Sequence, residues 1–276
     1  MDLVYRKFKR RRRGPCNVCG VVGPLSWDHV PPKGGIELQA VEIDRVASAF
    51  TEGLAAPKPE ISHDGLRFRT FCSKHNSLLG SEYDPALNDF AISAGRFLRS
   101  ELDLPPVVHI NARPTAIARA VLGHLLAARL SSVDGFFDPS IRTLILDPEK
   151  AIPEDVNVFY WVYPFAQQIV LRDALMPLRR GRYSDFQRFG VLKYFPIAYL
   201  ATTAREYEGL DSLTVWRKEP ASTAVELPVN LRQVKDAFWP EAPAPDNFVF
   251  GGADFMESVR AHPAKELFRH VQRGGS

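Results

Sequence analysis

The segment CNVCGVVGPLSWDHV, residues 16–30, begins with two cysteines in a CxxC spacing and ends with an Asp-His pair before Val30. A second segment, CSKHN at residues 72–76, repeats the two-residue spacing with a cysteine and a histidine. Four ligands grouped in two pairs are what a tetrahedral structural zinc requires. We therefore predict one structural Zn²⁺ site formed by Cys16, Cys19, Cys72 and His75.

Three residues beside these ligands predict chemistry as well as structure. Asp28 and His29 follow the first pair, and Asn76 comes directly after the second. A histidine that is neutral near pH 7 can take a proton from water, and carboxylate and amide oxygens are ligands that Mg²⁺ prefers. This set favours metal-assisted phosphodiester cleavage. The alternative is a surface Asp-His dipeptide and an asparagine that caps a helix.

The composition indicates an ordinary globular protein in a reducing compartment. The chain is 45% hydrophobic and 24% charged, and its three cysteines all lie within the first 72 residues. An odd, clustered set argues for metal ligation rather than disulfides. No apolar stretch reaches membrane-spanning length, and no apolar segment follows the basic N-terminus as in a secretory signal. We expect a cytoplasmic protein without a membrane partner.

Positive charge is concentrated at the start of the chain. Residues 1–13 carry seven basic side chains, although the net charge of the whole chain is only +3. Such a basic arm suits a polyanion such as DNA, because each neutralised phosphate releases counterions. The alternative is a solubilising tail. The predicted nucleic-acid contacts are Arg10, Arg11, Arg12, Arg13 and, after the double proline, Lys33.

The pattern of residues predicts an α+β fold with two domains. Residues 25–30 and 66–71 have the character of strands, a helix follows from Ser73, and residues 36–50 between the strands have helical spacing. Without that inserted helix the order is ββα. Leu104-Pro105-Pro106 suggests a boundary. We predict an arm over 1–13, a nuclease module with an inserted helix over 14–104, and a C-terminal targeting or regulatory domain over 105–276.

The C-terminal part is also predicted to be α+β, with a mostly antiparallel sheet. Pro114 begins a helix that continues to residue 130. Residues 156–172, 189–202 and 213–217 are expected to form strands, and residues 253–272 a last helix. His124 falls on the apolar face of its helix and is interpreted as a core histidine. Residues 106–276 contain no nucleophile motif, phosphate loop or metal cluster in their sequence.

The motifs of the first 85 residues resemble those of HNH endonucleases of the zinc-knuckle type. The resemblance covers roughly residues 14–85 and implies a ββα-metal fold. It makes His29 the general base, and Asp28 and Asn76 the ligands of one catalytic Mg²⁺ or Mn²⁺. It also implies hydrolysis of DNA, less often RNA, that leaves a 5′-phosphate.

Two positions depart from the family pattern. The last knuckle ligand is usually cysteine and here is His75, which preserves zinc ligation. The family's middle asparagine, which orients the base, is absent between residues 18 and 75. His63 or Asp64 lies about where it should be, and we predict that His63 orients His29. The alternatives are a plain turn histidine and a backbone carbonyl that holds His29.

The leading hypothesis is a metal-dependent HNH endonuclease, with a role in bacterial restriction or phage defence inferred from resemblance and architecture. The C-terminal domain is expected to bind a regulatory partner or to form a homodimer. The alternative function is a zinc-knuckle nucleic-acid-binding or scaffold protein with a degenerate nuclease site. Two minor predictions concern Asp84, as an added metal ligand, and the strand residues Arg67 and Arg69, which face either DNA or water.

Overall fold

A computed structural model describes residues 12–36, 39–46, 59–177, 186–241, 250–252 and 254–264. Within these ranges the protein is α+β, with mostly antiparallel sheets and four α-helices. The helices are α1 (Ser73–Glu82), α2 (Asp84–Leu98), α3 (Pro114–Ala127) and α4 (Asp138–Leu146). The strands are β1 (Arg13–Pro15), β2 (Val22–Pro24), β3 (Ser26–His29), β4 (Val41–Arg45), β5 (Glu60–Ser62), β6 (Arg67–Phe71), β7 (Val107–Ala112), β8 (Asn157–Val162), β9 (Gln168–Pro177), β10 (Phe186–Tyr194), β11 (Ile197–Thr202), β12 (Asp211–Ser212), β13 (Val225–Asn230), β14 (Phe250–Gly251) and β15 (Val259–Pro263).

The described strands form one large sheet and three two-stranded sheets. The large sheet has the order β12-β8-β11-β10-β9-β15-β4-β5, and β14 also pairs with β9. The small sheets are β1-β2, β7-β13 and β3-β6. The predicted strands at residues 25–30 and 66–71 are confirmed as β3 and β6, which pair antiparallel, and the helix predicted from Ser73 is confirmed as α1.

The helix predicted over residues 36–50 is wrong where the structure describes this segment. Residues 41–45 form β4, which pairs with β15 and β5, while residues 37, 38 and 47–50 lie outside the described residues. Val41, Ile43 and Arg45 are buried in alternation, which is the period of a strand. The helical spacing combined Val41 of this strand with Leu38, Val46 and Phe50 outside it, and so missed the two-residue period within the strand.

Two further elements differ from the prediction. The strand expected at residues 213–217 is a short 3-10 helix, Thr214–Trp216. The helix expected at residues 253–272 is wrong where described, because β15 lies at Val259–Pro263 and pairs with both β4 and β9. Residues 265–276 are not among those described. The last strand is therefore held by sheet neighbours distant in sequence, which a local pattern does not reveal.

Helix α3 lies at the centre of the molecule. Pro114 occupies its first turn, where the missing N–H costs nothing, and every one of its residues is buried. It packs against α1, α2 and α4 and against β6 and β10. Its residues are mainly apolar all round, and such a helix belongs in a core.

One hydrophobic core contains side chains from both sides of residue 105. Phe68 and Leu79 belong to it, and so do Ile117 and Val121 of α3. The domain boundary predicted at residue 104 stays a prediction. Of the helices in the described ranges, none is long and apolar enough to cross a membrane.

Candidate functional site

The four predicted zinc ligands lie together. Their ligand atoms are all within 4.8 Å of one another, and they form a Cys3His group that can hold a metal ion such as zinc. His75 Nδ1 is 3.2 Å from Cys72 Sγ and 3.6 Å from Cys16 Sγ. With Zn–S bonds of about 2.3 Å, tetrahedral ligands stand roughly 3.8 Å apart, so the donor set fits Zn²⁺. Burial lowers the pKa of His75, which favours the neutral imidazole that a metal binds.

Local backbone geometry explains how the two ligand pairs meet. Cys16 and Cys19 lie in the turn between β1 and β2, where Gly20 takes a left-handed φ of 72°. Cys72 caps the N-terminus of α1, so His75 is one turn along that helix. The backbone N–H of Cys72 donates to Cys16 Sγ at 3.3 Å, which links the two ligand pairs.

Asn17 attaches the turn that carries Cys16 and Cys19 to the C-terminal end of α3. The Nδ2 of Asn17 donates to the carbonyls of Leu126 and Arg129, both at 2.9 Å. Its Oδ1 accepts a hydrogen bond from Arg129 at 3.0 Å, and its backbone carbonyl accepts one from Arg142. Backbone carbonyls at the end of a helix have no hydrogen-bond donor within the helix, and the side-chain amide of Asn17 provides one. The CxxC turn is therefore attached to the part of the chain that follows residue 105.

Strand β3 carries the Asp-His pair with an irregular register. Ser26 is opposite Phe71 and Asp28 opposite Phe68, so the pairing shifts at Trp27. Such bulges re-aim side chains and are common beside active sites. Asp28 is buried, whereas His29 is partly buried. The two side chains therefore have different surroundings although they are adjacent in sequence.

Asp28 faces a histidine from α3. His124 Nδ1 is 3.6 Å from Asp28 Oδ2, and His124 Nε2 is 2.9 Å from Asp84 Oδ1. Burial raises the pKa of Asp28, and the charge of His124 opposes that rise. Burial alone would lower the pKa of His124, but the carboxylates of Asp84 and Asp28 raise it to about 10. At neutral pH this is a buried imidazolium between two carboxyl groups.

His29 has the environment of a base. Burial lowers its pKa, and the positive charges of Arg67 and Lys33 act in the same direction. Asp28 and a hydrogen bond to the backbone of Asp64 act in the opposite direction. The net lowering keeps the ring unprotonated at neutral pH, so it can accept a proton.

A cationic surface flanks His29. The guanidinium groups of Arg67 and Arg69 stack on the Trp27 ring, at 4.6 and 4.2 Å from its centroid. Arg67 is opposite His29 in the strand pair and forms an ion pair with Asp64 at 2.7 Å. The Nε atoms of both arginines are buried and have no hydrogen-bond partner among the described residues.

Asn76 lies in the first turn of α1. Its Nδ2 donates to the backbone carbonyl of Trp27 at 2.8 Å, and Trp27 precedes Asp28. This bond joins the residue after the last zinc ligand to the strand that carries the Asp-His pair. The structure therefore brings Asn76 and Asp28 into the same neighbourhood.

The other predicted site residues are more peripheral. His63 and Lys33 are exposed, His63 in the turn before β6 and Lys33 in a 3-10 turn after the double proline. Arg12 and Arg13 are exposed, whereas Arg10 and Arg11, with the rest of the basic arm, lie outside the described residues. The role of His63 stays a prediction, because the hydrogen-bond partner that His29 has here is the backbone of Asp64.

Sequence reasoning missed one contact of the site. His124 is indeed buried in the core, with 0% of its surface exposed, but it also contacts Asp28. A histidine in a mainly apolar helix was the available signal. Its partners, 40 and 96 residues away, could not be identified from spacing.

Comparisons with protein-family models, curated proteins and solved structures give no match.

Proposed function

We propose that this protein is a metal-dependent endonuclease of the HNH type. The observation that carries the proposal is the hydrogen bond from Asn76 to the backbone of β3, directly before Asp28-His29 and next to a Cys3His cluster. The antiparallel pair β3-β6, with α1 directly after β6, supports the proposal, because a ββα-metal module has two such strands before its helix; here β4 and β5 are inserted between the two strands.

The residues present fit a divalent cation. Asp28 Oδ2 is buried and has no hydrogen-bond partner among the described residues. The hydrogen bond from Asn76 to Trp27 uses the amide nitrogen, which leaves the amide oxygen as the donor for a cation. Asp28 and Asn76 would hold Mg²⁺ or Mn²⁺ through oxygen ligands. When bound, the ion would stabilise negative charge that develops on the scissile phosphate.

His29 is the general base of the proposed reaction. Its lowered pKa leaves the ring free to remove a proton from the attacking water. The water oxygen then forms the new bond to phosphorus while the bond to the 3′-oxygen breaks, which leaves a 5′-phosphate. The backbone carbonyl of Asp64 orients the ring, a role that the family gives to the missing asparagine.

The substrate is a phosphodiester backbone, with DNA favoured over RNA by the family resemblance. Arg67 and Arg69 lie on the same side of the strand pair as His29, and guanidinium groups bind phosphate oxygens in pairs. Lys33 adds a positive charge close enough to affect His29. These three cations would position the backbone and not read bases.

Conversion of supercoiled plasmid tests the proposal. Wild-type protein should nick DNA in Mg²⁺ or Mn²⁺ and not in chelator, and His29→Ala should lose roughly 10²–10⁴-fold in rate. His109→Ala, at an exposed histidine on β7, is the matched control and should nick normally. Equal nicking by wild type and His29→Ala would contradict the proposal. Metal-independent DNA binding without cleavage would favour the zinc-knuckle binding protein instead.

A further inference from the structure

His124 has a position that a simple core histidine does not require. Both of its ring nitrogens approach carboxylates, Nε2 at 2.9 Å from Asp84 and Nδ1 at 3.6 Å from Asp28. The side chain is completely buried in α3, whose other residues are mainly apolar. Placing a buried histidine and a buried carboxyl group in a core, beside the partly buried Asp84, costs free energy that an apolar side chain would avoid. The cluster therefore calls for an explanation other than packing.

Packing brings this cluster against the proposed catalytic unit. Gly123 precedes His124, and a Cβ atom at Gly123 would lie 2.4 Å from Leu79 Cδ1 of α1. The missing side chain lets α1 approach α3 closely at this point. His124 therefore lies where α1 and the strand that carries Asp28 meet α3.

The three side chains form a bridge and not a second metal site. Opposite nitrogens of the imidazole point to different carboxylates, so one ion cannot be bound by His124 and both aspartates together. In the described ranges, the Cys3His group is the one cluster whose three or more ligand atoms lie close enough for a shared ion. Asp84 is thus assigned to holding His124, and its predicted role as an added metal ligand stays a prediction.

We propose that His124 is a positioning residue, held by Asp84, that fixes the Asp28 carboxylate for the catalytic divalent cation. The inference rests on the proposed function, since it assigns Asp28 as the ligand. Outer partners of this kind orient a ligand before the ion arrives, and their loss weakens metal binding by about 10–100-fold.

The test is a titration of zinc-loaded full-length protein with Mn²⁺, in which electron paramagnetic resonance measures the bound and free ion. His124→Leu removes the hydrogen bond to Asp84 and the close contact with Asp28, and His124→Gln keeps one donor. We expect the Kd for Mn²⁺ to rise about 10–100-fold in His124→Leu and less in His124→Gln. Zinc content should stay at the wild-type level. His109→Leu, at an exposed histidine, is the matched control and should leave the Kd unchanged.

Nicking at varied Mn²⁺ supplies the second readout. The Mn²⁺ concentration for half-maximal nicking should rise in parallel with the Kd, while the rate at saturating Mn²⁺ recovers most of the wild-type value. If His124→Leu does not fold, His124→Gln and Asp84→Asn carry the test, and each should weaken Mn²⁺ binding.

The outcomes separate this inference from the proposed function. Wild-type nicking together with an unchanged Mn²⁺ Kd in every folded His124 and Asp84 variant would overturn the positioning role alone. Mn²⁺ binding that is lost in Asp28→Asn and weakened in His124→Leu, without any nicking, would support the positioning role and contradict the nuclease. A wild-type protein that neither nicks nor binds Mn²⁺ through Asp28 would overturn both.

Discussion

The Cys3His cluster and the Asp28-His29 site both lie in the N-terminal segment that contains β1, β2, β3, β6 and α1, but they depend on α3 differently. The metal cluster takes all its ligands from residues 16–75 and reaches α3 through Asn17, which is not itself a ligand. Asp28 instead faces a side chain of α3 directly. The first site is closed within the N-terminal segment, whereas the second is completed by the rest of the chain.

Loss of the metal cluster should have the largest effect on the fold. Cys72→Ser removes a zinc ligand that also caps α1, so it should release zinc and unfold residues around both ligand pairs. Structural zinc contributes roughly 10 kcal/mol or more in small zinc modules, although the shared core here will retain part of the structure. Thermal unfolding with a zinc assay measures the effect, and exposed Ser73→Ala is the control. A zinc-free Cys72→Ser protein of normal stability would show that no structural zinc is bound here.

Asn17→Ala should separate zinc binding from attachment to α3. The substitution leaves the carbonyls of Leu126 and Arg129 and the guanidinium of Arg129 without this partner, which we expect to cost about 2–4 kcal/mol of unfolding free energy. Zinc should remain bound, because Asn17 is not a ligand. Urea unfolding with a zinc assay measures both quantities, and Asn111→Ala on exposed β7 is the control. If Asn17→Ala lost its zinc along with its stability, zinc binding and the attachment to α3 would not be separable.

The pH dependence of cleavage should reflect the environment of His29. Only the unprotonated ring accepts a proton, so a pKa below its ordinary 6.5 moves the loss of activity to lower pH. The acid midpoint of the single-turnover rate should therefore lie below pH 6.5. Arg67→Gln removes a positive charge that lowers this pKa and should move the midpoint upward. A midpoint above 6.5 in the wild type would contradict the assignment of His29 as the base.

The smallest expected effect is that of the basic arm. Deleting residues 1–11 keeps β1 but removes Arg10 and Arg11, so DNA affinity should fall and its dependence on salt should flatten. Each lost phosphate contact reduces the slope of log K against log salt by roughly 0.9. Fluorescence anisotropy with a labelled duplex measures the slope at several salt concentrations. An unchanged slope would mean that the arm does not contact DNA.

The same contrast explains what the sequence could predict. Cys16, Cys19, Cys72 and His75 were predictable because metal ligands occur in short, regular spacings that survive a long insertion. β6 was predictable from its two-residue period, and β3 from the double proline that ends it. By contrast β4 and β15 pair with each other across more than two hundred residues, so local spacing wrongly suggested helices there.

The contacts of the second site could be predicted only in part. Asp28, His29 and Asn76 were chosen by residue type and by their place beside the zinc ligands, and the structure brings Asn76 to β3. The contact between Asp28 and His124 depends on how α3 packs against α1, through Gly123 and Leu79. The backbone of Asp64 cannot be recognised as a partner of His29 from residue type, since any residue offers a carbonyl.

The central claim is that His29 is the base of a metal-dependent phosphodiester cleavage. Single-turnover cleavage of a duplex oligonucleotide labelled at either end, in Mg²⁺ and in chelator, tests it most directly in wild type and His29→Ala. The account predicts products with 5′-phosphate ends, formed only with the metal and roughly 10²–10⁴-fold more slowly by the variant. Cleavage in chelator, or an equal rate in folded His29→Ala, would contradict it.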